Sequence, residues 1–259
     1  MDEDERTSPA AERRRGIQSV EAGMRVLDAM VTLGQAAPLS AIAQASAMSP
    51  SQAHRYLASL TAAGMARQDA ASGRYDLGPA ALRLGLGALA RIDAFRTADT
   101  AIGTFTQDSG RTVQIAALGP LGPTIVRWHV GRPPVMTSFH VGSVLPLLGS
   151  ATGHAFLAFV PPGEVDGLLQ AELAASSRTP EEVAELRATV RAAGFAHVAG
   201  AMVPGLRATA VPIFDLQGRA ILTATALSQA DADLDRDAAT DQGLVEVCRT
   251  ISGQLGWFD

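Results

Sequence analysis

At 259 residues, 47% of them hydrophobic and 18% charged, the chain favours two domains with real cores and is not wholly disordered. One cysteine, Cys248, excludes an intrachain disulfide and cysteine-based metal clusters, and no apolar run approaches the ~18 residues of a membrane helix. A net charge of −5 argues against a wholly basic nucleic-acid binder, but residues 13–75 hold seven Arg against three acids while residues 92–259 hold eleven Arg against seventeen, an asymmetry that points to nucleic acid at one end.

Residues 1–15 read as a polar, disordered tail without the apolar h-region of a secretory signal, so the protein is expected in the cytoplasm. The closing Arg13-Arg14-Arg15 is either a solvated tail or a basic arm that touches phosphates. Ser19–Leu33 is expected as a first helix, capped by Ser19, with Val20, Met24, Leu27 and Val31 at helical spacing. Leu39–Ala47 is a short second helix with Leu39, Ile42 and Ala43 on one face. In the third helix Ser49 is the N-cap, Pro50 takes the first helical position and Gln52 completes a capping box. That helix runs to Ala63 and stops at Gly64. Met65–Gln68 and Arg74–Leu77 are short strands around the polar turn Asp69–Gly73. Helix, helix, helix and hairpin make a winged helix-turn-helix over residues 16–78.

Residues 79–106 read as a leucine-rich linker helix that also pairs subunits, weakened by Gly85 and Gly87. In residues 107–259, strands are expected at Thr112–Leu118, Ile125–Val130, Ala208–Phe214 and Ala220–Leu227. Helices are expected at Ser150–Phe159, Pro180–Ala193 and Asp241–Leu255. The mixture fits an α+β domain, an antiparallel sheet with helices packed on it.

Five stretches now in hand resemble the IclR family of bacterial transcription regulators: SVEAGMRVLDAM (19–30), PLSAIAQASAMSPSQAHRYLASLTAAGMA (38–66), RYDLGPAALRLG (74–85), LPLLGSATGHAFLAFVP (145–161) and PGLRATAVPIFDLQGRAILTATAL (204–227). The resemblance spans nearly the whole chain. It implies a winged helix-turn-helix joined by a helix to a GAF-like effector domain, in a homodimer or a dimer of dimers, with no cofactor. The chain departs from the family at Gly153-His154, where Gly-Lys is usual, and at Val198–Val203, where acids often precede Pro-Gly-Leu-Arg.

An α-helix fits the major groove and reaches base edges with its first turns. In the third helix Ala53, Leu57 and Leu60 should face the core, leaving Ser51, Gln52, His54, Arg55 and Ser59 on the open side. Gln pairs with adenine, Arg with guanine or phosphate. Ser49 and Ser51 offer hydroxyl and N–H groups to phosphate at the helix start. Ser49 and Gln52 also suit pure capping, and His54 an ordinary solvated surface. Arg67 and Arg74 flank the wing and suit backbone phosphates or an ordinary hairpin surface. One such module makes few contacts, so tight specific binding favours a dimer on a pseudo-palindromic double-stranded operator.

For the second domain the resemblance places effector contacts near Thr137, Ala151, Thr152, Val198, Ala208, Thr225 and Leu227. Ser150, Thr152 and Gly153 at a helix N-terminus donate to an anion, and the other positions are small or apolar. A carboxylate effector with an apolar, aromatic or aliphatic body is expected. Arg127, Trp128, His129, Arg132 and His140 read as surface or interface residues, with one of them lining the pocket as the alternative. An enzyme is the rival reading, and little supports it. In Gly149–Gly153 the serine is displaced by one from a nucleophile elbow. His54, His129, His140, His154 and His197 show no metal-binding spacing, and there is no phosphate-binding loop. Asp231, Asp233, Asp235 and Asp237 lack the Gly and closing Glu of a calcium loop, so a solvated turn is expected there. Cys248 is expected to pack inertly. A C-terminal domain that only oligomerises is the other alternative.

Overall fold

Among the described residues, four helices and a hairpin make up the first of two units, which divide between Arg91 and Ile92. The computed structural model describes residues 17–89, 93–229 and 234–258. Helices α1 (Gln18–Leu33), α2 (Leu39–Ala45) and α3 (Pro50–Ala62) are followed by strands β1 (Ala66–Gln68) and β2 (Tyr75–Leu77) and by α4 (Pro79–Leu89). Their core is built on Val26, Leu27, Met30, Ile42, Leu57 and Tyr75. Residue 37 binds Tyr75 in both directions (N–H···O 2.9 and 2.8 Å), pinning the hairpin to the α1–α2 connection.

One expectation for α1, its cap, fails. It begins at Gln18 with Ile17 in the cap position and no side-chain cap, so Ser19 lies inside the helix. Of the four apolar positions expected at helical spacing only Leu27 is buried; Val20, Met24 and Val31 are 60%, 51% and 60% exposed. The core takes the adjacent face instead, Ala22, Val26, Ala29 and Met30. Helical spacing identifies an apolar stripe, and here α1 carries two.

The single linker helix expected over 79–106 is also corrected. α4 ends at Leu89 and α5 (Ala94–Ser109) starts anew with Asp93 as its cap. The Asp93 backbone is extended (φ −102°, ψ 95°) and its carboxylate accepts from Arg96 N–H, which a continuous helix does not allow.

The second unit is a five-stranded antiparallel sheet in the order β4 (Gly122–His129), β3 (Thr112–Gly119), β7 (Ala220–Gln229), β6 (Leu206–Phe214), β5 (Ala196–Ala199). Period-two alternation sends Val113, Ile115, Leu222 and Ala224 to one face, where Ile102 of α5 and Leu244, Cys248 and Ile251 of α9 (Leu234–Gln254) pack. The opposite face carries α6 (Ala151–Phe159), α7 (Pro162–Ala174) and α8 (Pro180–Ala193). Two elements were not legible in the sequence. α7 begins at Pro161-Pro162, a pair that reads as loop, and buries only Val165 and Leu169. β5 has four residues, one of them buried. α9 starts seven residues before the expected Asp241.

Residues 1–15, with the Arg13–Arg15 arm, lie outside the described residues, as do Asp231 and Asp233. Asp235 and Asp237 fall inside α9, so the solvated turn expected there is corrected to helix from Leu234 onward.

Candidate functional site

The open face of the first unit is set by the grammar of α3. Ser49 is extended (ψ 151°), its hydroxyl accepts from Gln52 N–H at 3.3 Å, and Gln52 Oε1 accepts from Ser49 N–H at 3.2 Å. Ala53 and Leu57 are fully buried and Leu60 partly so, which turns the other side of the helix outward. Ser49, Ser51, Gln52, His54, Arg55 and Ser59 are all exposed. Ser49 and Gln52 are occupied with the capping box, and Ser59 Oγ donates back to the Arg55 carbonyl at 3.2 Å. In the hairpin, Arg67 pairs with Asp76 at 2.7 Å, and Arg74 donates to the Ala36 carbonyl at 3.0 Å. With 68% and 38% of their side chains exposed, the Arg67–Asp76 pair contributes little to stability, about 1 kcal/mol or less. Asp69 shapes the wing turn: its carboxylate accepts from Ser72 N–H and hydroxyl, both at 2.7 Å, which holds its pKa below the usual value.

A cavity lies in the second unit, between the sheet and the start of α6. Gln114, Val198, Leu206, Ala208, Thr225 and Leu227 form its floor. Thr137, Phe139 and Leu145 from the β4–α6 connection and residues 200–203 enclose its sides, and Ser150, Ala151 and Thr152 close one end. Its volume, mouth included, is about 480 Å³. No charged side chain is among the lining residues. Eight of the nine positions expected to contact an effector line this one cavity. Gly153 is the exception. It stands behind the wall with its N–H donated to Ser150 Oγ at 2.9 Å, and a Cβ there would meet the Pro146 carbonyl oxygen at 2.2 Å. Its role is close approach of backbone to backbone.

Sequence reasoning missed Gln114, Phe139, Leu145, residues 200–203 and Leu206. Only the alternation of β3 could have pointed to Gln114, which falls on the opposite face from Val113 and Ile115. Gln114 Nε2 donates to Thr152 Oγ1 at 3.2 Å, and Thr152 and Thr225 share a hydrogen bond of 2.8 Å. All three are at least 96% buried. At the helix start Ser150 Oγ donates to the Pro146 carbonyl at 2.7 Å, while Gly153 N–H and His154 N–H close on Ser150. The N–H groups of Ala151 and Thr152 are the donors that a first helical turn leaves without an intrahelical partner.

His154 is 6% exposed and its Nε2 lies 2.9 Å from the Leu148 carbonyl. Burial pushes its pKa below the ordinary histidine value, so the ring is neutral and Nε2–H donates. Asp99 joins His129 at 3.0 Å and Arg127 at 3.5 Å on the sheet's edge. None of Arg127, Trp128, His129, Arg132 and His140 lines the cavity. Cys248 is fully buried and burial drives its thiol pKa upward, the inert packing expected of it. Among the described residues no group of three or more His, Cys, Asp or Glu side chains could hold a metal. No helix among them is long and apolar enough to cross a membrane.

Comparison with known proteins places this geometry. Residues 19–70 match the IclR helix-turn-helix domain, and residues 86–255 match the bacterial transcriptional regulator IclR C-terminal domain. The structure of Pseudomonas aeruginosa HmgR is 36% identical and superposes with a TM-score of 0.80 over 93% of this chain and 99% of that one. The glycerol operon regulatory protein of Streptomyces coelicolor is 29% identical over 93% of this chain and 98% of its own. An IclR homologue from Microbacterium hydrocarbonoxydans, solved in complex with 4-hydroxybenzoate, shares the fold at 22% identity, with a TM-score of 0.53 over 92% of this chain and 98% of that one. The chain belongs to the IclR family of transcriptional regulators, with an N-terminal helix-turn-helix that binds DNA and a C-terminal effector-binding domain.

Proposed function

We propose that the protein acts in the cytoplasm as a homodimer or dimer of dimers, is not an enzyme, and reads a pseudo-palindromic operator with α3 under control of a small carboxylate. The observation that carries the effector reading is the cavity: apolar walls, no acid, and two helix-start N–H groups beside a buried amide and two hydroxyls. Such a lining is rich in donors for an anion and offers an apolar bed for its body. The 4-hydroxybenzoate bound by the Microbacterium homologue has that chemistry. Thr137, Ser150, Ala151, Thr152, Val198, Ala208, Thr225 and Leu227 are the contacts on this reading, joined by Gln114.

On the DNA side, His54 and Arg55 face outward free of the capping box, Ser51 stands beside them with its hydroxyl 3.2 Å from Ser49 Oγ, and the three take base edges or phosphates. Ser49, Gln52 and Ser59 serve chiefly the helix, and their remaining donors reach phosphate. Arg67 and Arg74 grip the backbone beside the wing. The dimer reading draws on the exposed Met24 and Val31 of α1 and Leu82 of α4, which border one open groove of the first unit. Effector control requires that ligand bind one arrangement of the DNA-reading modules better than another, and coupling of ~1–3 kcal/mol changes operator affinity about 5–150-fold.

Selection of duplexes from a random pool, followed by gel shift with and without benzoate, 4-hydroxybenzoate and short aliphatic acids, tests the reading. An enriched two-fold-symmetric site, weakened by Arg55→Ala and shifted in affinity by at least one acid, is the expected result. No enriched duplex, or ligands confined to sugars and cations, would refute it.

A further inference from the structure

The chain segment from Leu145 to Ser150 lines the cavity at its two ends, Leu145 and Ser150, and leads into α6, yet it belongs to no helix or strand. Its backbone is tied from two directions. Glu172 of α7 takes Leu147 N–H on one carboxylate oxygen (2.6 Å) and Leu148 N–H on the other (2.8 Å). His154 of α6 takes the carbonyl of the same Leu148 (2.9 Å). The two leucine side chains are buried against Phe156, Leu157, Val165 and Leu169, so the segment's inner side is fixed as well.

Glu172 is conspicuous because its own helix does not explain it. It lies in the last turn of α7, where the partial negative charge of the helix end opposes a carboxylate. Two short, charge-assisted bonds to consecutive N–H groups overcome that opposition. His154 likewise sits in a buried, desolvated position, and its one hydrogen-bonded ring nitrogen is spent on Leu148.

We infer that Glu172 and His154 are positioning residues of the effector site, which together clamp Leu147 and Leu148 so that Leu145, Ser150 and the first turn of α6 hold the ligand-binding arrangement before ligand arrives. The inference rests on the effector-cavity reading and extends it to two residues that do not line the cavity. Its physical content is preorganisation: a wall ordered in advance does not have to be ordered by the ligand, and affinity rises by that amount. Releasing one charge-assisted bond weakens binding about tenfold.

The test uses the full chain with Glu172→Gln and Glu172→Asp, and with His154→Leu, which removes the donor to Leu148 and should lower amide protection and probe affinity in the same direction as Glu172→Gln. Glu172→Gln keeps one acceptor and turns an amide N–H toward a backbone N–H. Glu172→Asp keeps the charge but is one methylene short of both donors. Hydrogen exchange of the Leu147 and Leu148 amides is followed without ligand. Calorimetric titration uses 4-hydroxybenzoate and benzoate as probes, and gel shift measures operator affinity. In Glu172→Gln we expect protection of both amides to fall about tenfold or more, and probe affinity to weaken about tenfold. Operator affinity of the unliganded protein should stay within about twofold, and Glu172→Asp should restore part of both losses. Unchanged protection overturns the clamp. Lost protection with unchanged probe affinity overturns its positioning role. Should the wild-type protein bind neither probe, the carboxylate reading fails separately, and the exchange arm still decides whether the clamp exists.

Discussion

Replacing Gly153 by alanine adds one methyl group at the most crowded backbone crossing beside the cavity. The new Cβ would stand 2.2 Å from the Pro146 carbonyl oxygen and 2.5 Å from both Leu147 Cα and the Leu147 carbonyl oxygen. All three atoms are backbone, so no rotamer change relieves the clash, and α6 or the Leu145–Ser150 segment must move by about 1 Å in a close-packed interior. The segment is held by Glu172 and His154, so neither side yields cheaply. Overpacking of this kind costs ~1–3 kcal/mol, and the better helix propensity of alanine returns about 1 kcal/mol at most. The same substitution at Gly167 is the internal control. That glycine is helical and exposed with nothing within 4 Å of an added Cβ, so alanine there gains ~0.5–1 kcal/mol. For a unit of this size 1 kcal/mol moves Tm by roughly 2–4 °C. Because both walls are held, the cost falls at the upper end of that range, about 2 kcal/mol net, so thermal melts followed by calorimetry should show Gly153→Ala lowered by roughly 4–8 °C and Gly167→Ala raised by roughly 1–4 °C. A Gly153→Ala protein that melts with or above the wild type would refute the packing argument.

Three further outcomes follow from buried groups. His154 holds a pKa below its ordinary 6.5 because burial disfavours its charged form. The unfolded chain then binds a proton the native state resists, so this stability is complete above about pH 6.5 and is lost as pH falls towards the depressed native pKa. His154→Gln keeps a donor for Leu148 without titrating, so its Tm should fall less steeply between about pH 7 and 5, and equal slopes would contradict the assignment. Cys248, fully buried with its thiol pKa pushed up, should resist iodoacetamide at mildly alkaline pH until denaturant is added; rapid stoichiometric labelling of native protein would show the helix opening. Leu57→Ala empties a fully buried site beneath α3 and should destabilise the first unit by about 2–5 kcal/mol, leaving probe binding by the second unit unchanged; loss of probe binding would show that the two units do not melt independently.

The third helix was legible because its signals are local. A capping box at Ser49 and Gln52, Pro50 at the first position and the apolar pair Ala53 and Leu57 agree with one another, so the outward face followed by elimination. The polar end of the cavity was legible for a similar reason, since Ser150 marks a helix start by its own chemistry. Where two local readings competed, the sequence was silent. α1 offers two apolar stripes, and the choice of Val26 and Met30 over Val20 and Met24 depends on where α2, α3 and the hairpin stand. The break at Asp93 likewise carries a weaker signal than the leucines before it.

What lay wholly outside the sequence was contact over distance. Composition, capping and spacing determined that a basic three-helix module precedes an antiparallel α+β domain, because those features depend on neighbours a few positions apart. That Gln114 reaches Thr152, that Thr152 reaches Thr225, and that Glu172 binds the backbone of Leu147 and Leu148 was decided by the order of the five strands and the docking of α6 and α7 on them. Such partners are 24 to 73 residues apart. Hydrogen bonds between them form only where packing has already removed water from both ends, and no local pattern encodes that.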